Sequence, residues 1–157
     1  MELSQKVADF TLQTDEDKTV SLSDYAGKPV VLFFYPRADT PGCTIEACGF
    51  RDTFKKLQAA GAVVLGISRD TPRAQAKFRA KYDLPYTLLA DVDEKVCNLF
   101  GVMKEKNMYG KKVWGIERTT FVIGPDQTLL HIFPKVTPEG HAEAVLELLK
   151  EWKKAQK

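Results

Sequence analysis

Cysteine and histidine are scarce in this chain, with three cysteines and two histidines among 157 residues. An odd and small cysteine count excludes a disulfide-stapled secreted scaffold. It predicts a reducing, cytoplasmic setting, where a cysteine is either buried filler or chemically active. No two cysteines have C-x-x-C spacing, so the motif of a thiol–disulfide exchange enzyme is absent. Cys43, Cys48, Cys97, His131 and His141 offer no paired ligand spacing, and no metal site is expected. Both histidines are expected at the surface. A charge excess is missing as well. With 23 basic and 21 acidic side chains the formal net charge is +2, which gives no electrostatic reason to expect a nucleic-acid or membrane partner. No apolar run approaches transmembrane length, and MELSQKVADF lacks the apolar core of a signal peptide.

What is present reads as one domain over 1–157, with an ordinary 44% hydrophobic content. VVLFFY (30–35), AVVLGIS (62–68) and TFVI (120–123) are unbroken β-prone runs of the kind buried on both faces, and TLLAD (87–91) is a weaker one. Helical patterns separate them. Residues 41–60 carry Ala47, Phe50, Phe54 and Leu57 on one stripe and stop at Gly61. Thr71-Pro72 opens a helix running to about Lys81, and 93–101 forms a short one. Thr137-Pro138 is expected to open the last helix. KVWGIERTTFVI, GPDQ and TLLHIF read as a hairpin or meander. The βαβα…ββα order predicts an α/β fold with a mixed central sheet flanked by helices.

The stretch TPGCTIEAC (40–48) carries two of the three cysteines. Thr40 suits the N-cap of a helix and Pro41 its first position, so Gly42 and Cys43 fall in the first turn, whose amides have no partner within the helix. Cys43 then sits at the positive end of a helix dipole, in conditions that favour thiolate over thiol. Against the 3.6-residue period, Cys43 lies within about 40° of the apolar stripe, whereas Cys48 is about 140° away beside polar Arg51 and Asp52. In an intact helix their α-carbons stand roughly 8–9 Å apart. A disulfide tolerates about 7 Å, so the two sulfurs join only if the helix unwinds. The residues alone leave open whether the pair cooperates or consists of two unrelated helix positions.

The longer segment FFYPRADTPGCTIEACGFRD (33–52) resembles the active-site segment of the peroxiredoxins, with P-x-x-x-T-x-x-C present as Pro36, Thr40 and Cys43. A second cysteine five positions on resembles the bacterioferritin comigratory protein, or peroxiredoxin Q, subgroup. ERTTFVIGPDQTL (117–129) resembles the family's arginine-bearing strand through Arg118, and ADFTLQ, VLGISRD and LLADVDEKVCNLFGV extend the likeness along nearly the whole chain. The resemblance implies a thioredoxin-like fold and a peroxidase that reduces hydrogen peroxide and organic hydroperoxides by thiol chemistry, without metal, haem or other cofactor. It implies that Cys43 is the peroxidatic cysteine and Cys48 the resolving one, joined in an intramolecular disulfide that thioredoxin or a similar dithiol donor reduces. Thr40 would hydrogen-bond thiolate and peroxide, Arg118 would stabilise charge, and Pro36 would shield the pocket. Glu46 either positions Arg118 or is an acid placed favourably near a helix start. Cys97 matches no motif cysteine and reads as a packed small hydrophobe.

Two family features are not visible: the Gly-Gly-Leu-Gly loop and the C-terminal Tyr-Phe pair associated with over-oxidation. Resistance to sulfinic inactivation is therefore expected, and the absence of the extra tail by which relatives make obligate dimers leads to the expectation of a monomer. The alternative function is a non-enzymatic redox sensor, in which the 43–48 disulfide is a conformational signal.

Overall fold

The computed structural model describes residues 1–156. Short strands β1 (Thr11–Thr14) and β2 (Thr19–Ser21) and a 3₁₀ turn (Leu22–Tyr25) precede β3 (Val30–Phe34) and α1 (Pro41–Ala59). Next come β4 (Val63–Ser68), α2 (Pro72–Tyr82), β5 (Thr87–Ala90) and α3 (Lys95–Leu99). The remainder is β6 (Met103–Met108), β7 (Lys111–Ile116), β8 (Thr119–Ile123), β9 (Leu129–Phe133) and α4 (His141–Ala155). Seven strands form one sheet in the order β2-β1-β5-β4-β3-β8-β9. β4 runs parallel to both β3 and β5, while β8 is antiparallel to β3, so the sheet is mixed as expected.

β3 is central, and all five of its residues are buried. Side chains alternate across a strand, so an unbroken apolar run needs cover on both faces. Val30, Leu32 and Phe34 pack with Leu65, Ile67, Phe100 and Phe121 on one face. Val31, Phe33 and Tyr35 pack on the other with Ala47, Phe50, Phe78, Tyr86 and Val145, which come largely from α1, α2 and α4. α1 follows its predicted stripe: Cys43, Ala47, Phe50 and Leu57 are buried, and Gly61 takes φ 86° just past its end. α2 is capped by Thr71, whose hydroxyl accepts from the Ala74 amide at 3.1 Å.

The structure corrects four expectations. The last helix starts at His141, not at Thr137-Pro138, because Gly140 adopts φ 75° and a right-handed helix cannot pass through it. His141 is buried rather than on the surface: its Nε2 lies 2.7 Å from the Thr120 hydroxyl, and its ring meets Phe50 and Phe133 edge-on. The 112–123 run is not one strand. It breaks at Glu117-Arg118, where the Glu117 amide donates to the Val102 carbonyl, so β7 pairs with β6 in a separate two-stranded sheet while β8 joins the main one. Three strands were not expected at all: β6, and β1 and β2, which are too short and too exposed for a clear alternation.

Cys97 is fully buried in α3, as a small apolar residue would be. Its amide donates to Asp91 Oδ2 at 2.6 Å, and burial, followed by the Asp91 carboxylate, pushes its thiol far above the ordinary cysteine range. Iodoacetamide added to the native reduced protein should therefore leave Cys97 unmodified while Cys43 reacts to completion. Mass spectrometry of the peptides checks this, and labelling of Cys97 should require denaturant.

Candidate active site

The chain leaves the buried end of β3 at Tyr35 and must turn before α1. Two anchors set that turn. The Ala38 amide donates to Asp70 Oδ2 at 2.8 Å, and Asp39, in the left-handed region at φ 60°, is held by Lys81 and the Tyr82 hydroxyl. α1 then starts where the sequence indicates, with Thr40 at the N-cap and Pro41 in the first turn. Thr40 does not cap through its side chain, however. Its hydroxyl donates back to the Arg37 carbonyl at 2.8 Å. Its one proton is thus committed to the loop, and among the described residues the Gly42 and Cys43 amides have no side-chain or main-chain acceptor. Donors without partners at a helix start make a site for a negative charge.

Arg118 completes the site from a distant part of the sequence. β8 pairs with β3 in the register Phe34–Thr119, which puts Arg118 beside the point where the chain leaves β3 for α1. Arg118 lies in the two-residue break before β8, not within a strand as its motif suggests, and its carbonyl accepts from the Val136 amide at 2.9 Å. Its Nη1 stands 3.5 Å from Cys43 Sγ and 2.8 Å from Glu46 Oε1. Cys43 is 1% exposed, so the sulfur meets a guanidinium in a site with little water.

Glu46 therefore does position Arg118. Its carboxylate is fully buried, and Oε2 has no hydrogen-bond partner. Burial pushes the Glu46 carboxyl up to about 7, against the opposing pull of Arg118. Burial, and then Arg118, hold His141 down to about 4, so it is neutral near pH 7 and brings no competing cation beneath the site. Lys106 on β6 is half-buried, and burial and then Arg118 lower its pKa, while Cys43 acts in the opposite direction.

The five residues singled out in the sequence do not all meet. Cys43 and Arg118 are in contact. Cys48 is half-buried, and all three cysteines are free thiols. Burial raises the Cys48 thiol pKa, with Arg51 working against it. Thr40 is tied to the preceding loop, and half-buried Pro36 lines a surface depression with Arg37, Arg69, Asp70, Val92 and Glu94. Sequence reasoning placed Gly42 in the first turn but missed why it is glycine. A Cβ placed there would lie 2.9 Å from Arg118 Nη2, so glycine is what lets the guanidinium reach over the helix start. The neighbouring T-P-G-C run was the available signal.

Gly42→Ala should separate stability from reactivity. Alanine favours an α-helix over glycine by up to about 1 kcal/mol, and the group it strikes is the end of a flexible side chain. We expect an unchanged or raised melting temperature together with at least a tenfold slower reaction of Cys43 with peroxide, measured by stopped flow. Glu46 gives a pH dependence. Its folded value lies above the ordinary 4.5, so its contribution to stability is fully present below pH 4.5 and is lost as pH rises through about 7. Glu46→Gln lacks this titration. The variant should gain on the wild type between pH 4.5 and 7, by up to about 3 kcal/mol in denaturant unfolding at about 1.4 kcal/mol per pKa unit. A pH-independent difference would contradict the assignment.

Residues 3–132 match the AhpC/TSA family. The chain is 42% identical over 151 residues to peroxiredoxin Bcp of Bacillus subtilis, covering 96% of each protein. Among solved structures, a cysteine-to-serine mutant of PrxQ from Xylella fastidiosa superimposes with a TM-score of 0.93 at 36% identity, over 98% of each chain. The bacterioferritin comigratory protein of Xanthomonas campestris, studied for its alkyl peroxide reduction activity, does so with a TM-score of 0.86 at 41% identity over 90% of each chain. The thioredoxin-like fold, the cysteine at the helix start and the full-length likeness agree, and the chain belongs to the AhpC/TSA family as a peroxiredoxin of the bacterioferritin comigratory protein type.

Proposed function

We propose that this thiol peroxidase reduces hydrogen peroxide and organic hydroperoxides at Cys43 and closes its cycle through a Cys43–Cys48 disulfide. The observation that carries the reading is the Arg118 guanidinium 3.5 Å from Cys43 Sγ at the start of α1. The Cys43 thiolate attacks one peroxide oxygen. An S–O bond forms, the O–O bond breaks, and the leaving oxygen takes up a proton and departs as water or alcohol. Arg118 and the first-turn amides stabilise charge on the sulfur and then on the leaving oxygen, which is most effective in a site already oriented and poor in water. Glu46 holds the guanidinium in place. Thr40 serves by turning its lone pairs, rather than its proton, toward the pocket, and Pro36 gives the loop its shape.

Cys43 is left as a sulfenic acid. The Cys48 sulfur attacks it, an S–S bond forms as the S–O bond breaks, and the hydroxyl leaves as water with the Cys48 proton. Thioredoxin or a similar dithiol donor then reduces the disulfide by exchange, and the protein works as a monomer in the cytoplasm.

Two variants test the division of labour. Cys43→Ser should have no peroxidase activity. Cys48→Ser should consume one equivalent of peroxide and stop, leaving a sulfenic acid that dimedone labels. Peptide mapping of the wild type after one equivalent of peroxide should show Cys43 linked to Cys48. Normal thioredoxin-coupled turnover by Cys48→Ser would overturn its resolving role. Oxidation that does not cycle with any dithiol donor would point to a sensor instead.

A further inference from the structure

The segment that has to open, from Thr40 to Cys48, is held at both ends by one corner of the fold: the end of α2 and the loop leading to β5. At its front, Lys81 Nζ donates to Asp39 Oδ2 at 2.8 Å and the Tyr82 hydroxyl to Asp39 Oδ1 at 2.7 Å. At its back, Arg51 Nη1 donates to the Tyr82 carbonyl at 2.9 Å and the Tyr86 hydroxyl to the Ala47 carbonyl at 2.7 Å. The front contacts are exposed and screened by solvent. Of the two back contacts the Tyr86 one is fully buried, because Tyr86 is 3% exposed and packs edge-on against Phe33.

The Ala47 carbonyl belongs to the peptide that joins Ala47 to Cys48. Swinging Cys48 toward Cys43 rotates that peptide and takes the acceptor away from Tyr86. In the closed helix this carbonyl already receives the Arg51 amide four residues on, so it does not need the phenol. The phenol needs the carbonyl, since a buried hydroxyl without an acceptor is costly. Tyr86 thus acts mainly by disfavouring the open state.

We propose that Tyr86, seconded by Arg51, is a positioning latch that keeps α1 wound until Cys43 has reacted and so sets the rate at which Cys48 reaches it. The proposal rests on the Cys43–Cys48 reading above. A tighter latch lengthens the life of the Cys43 sulfenic acid and gives a second peroxide time to oxidise it to sulfinic acid, with water or alcohol released. A looser latch favours the disulfide. The same corner thereby governs how much peroxide the enzyme survives.

The test is single-turnover oxidation by hydrogen peroxide with rapid alkylation and mass spectrometry, together with amide hydrogen exchange on the reduced protein. In Tyr86→Phe the bimolecular loss of the Cys43 thiol should stay within twofold of wild type. Disulfide formation should speed up at least threefold, and the sulfinic fraction at high peroxide should fall. Exchange should rise within residues 41–51 and not across the sheet, a localisation that general destabilisation would not produce. Arg51→Lys, which keeps a cation beside Cys48 but loses the guanidinium bond from Nη1 to the Tyr82 carbonyl, should shift all three readouts the same way and stands in if Tyr86→Phe folds poorly. Unchanged or slower disulfide formation in both variants overturns the latch, even where exchange increases. If the wild type forms no Cys43–Cys48 disulfide, the functional reading fails. Local exchange then decides the latch by itself, and unchanged exchange in 41–51 sinks it.

Discussion

The Arg118 guanidinium is shared between a buried carboxylate and a thiol sulfur, and much of the site depends on that sharing. Glu46 approaches at 2.8 Å and Cys43 at 3.5 Å, both from the same face of α1. A cation with only one of these partners would sit in the wrong place or carry an uncompensated charge in a site with little water. Gly42 exists to leave room for it, the Val136 amide holds its backbone, and His141 stays neutral near it. The unpartnered Glu46 oxygen is the cost of the arrangement, and the raised Glu46 value expresses it. Functional sites are where such locally unfavourable burial is expected.

In the proposed cycle the same helix has to satisfy two opposed demands. Peroxide attack needs the first turns of α1 wound, with Cys43 beneath Arg118. Joining Cys43 to Cys48 needs those turns unwound. The core resolves part of the conflict by anchoring α1 further down, through Phe50 stacked on Phe33 at 4.6 Å and through buried Leu57, so the lower helix has no reason to move. The upper turns bury only the small apolar side chains Cys43 and Ala47 on that face and are held in addition by a few polar contacts from α2, from the loop before β5 and from Arg118. Individual hydrogen bonds are modest and breakable, unlike a packed aromatic cluster. On the proposed latch, this division between an apolar anchor and polar contacts lets one element be rigid and openable at once.

Much of this was legible in the sequence wherever the cause was local. The apolar runs at 30–35 and 62–68, the stripe on 41–60, the glycine stop at 61 and the Thr71 cap each reflect a period or a terminus that neighbouring residues determine. Reading failed where a local signal had two uses. Thr137-Pro138 looks like a helix start, yet it belongs to the loop that sets Pro138 beside Gly42. Thr40 looks like a cap, yet its hydroxyl turns to Arg37. His141 looks like a surface residue, because nothing nearby announces the Thr120 and Phe133 contacts that bury it.

The sequence by itself determined that a helix begins at Thr40-Pro41, that Cys43 stands in its first turn facing inward and that Cys48 faces elsewhere. Helical phase and the geometry of a helix start follow from residue spacing alone. Only the tertiary structure decided what meets Cys43 and what holds the helix shut. Arg118 is 75 residues from Cys43, and Tyr86 is 39 from Ala47. The first contact arises because β8 pairs antiparallel with β3, which puts Arg118 at the end of β3 where α1 begins, and the second because β5 pairs parallel with β4, which sets Tyr86 lower on the sheet against the body of α1. Strand register is a property of the whole sheet, and no window along the chain contains it.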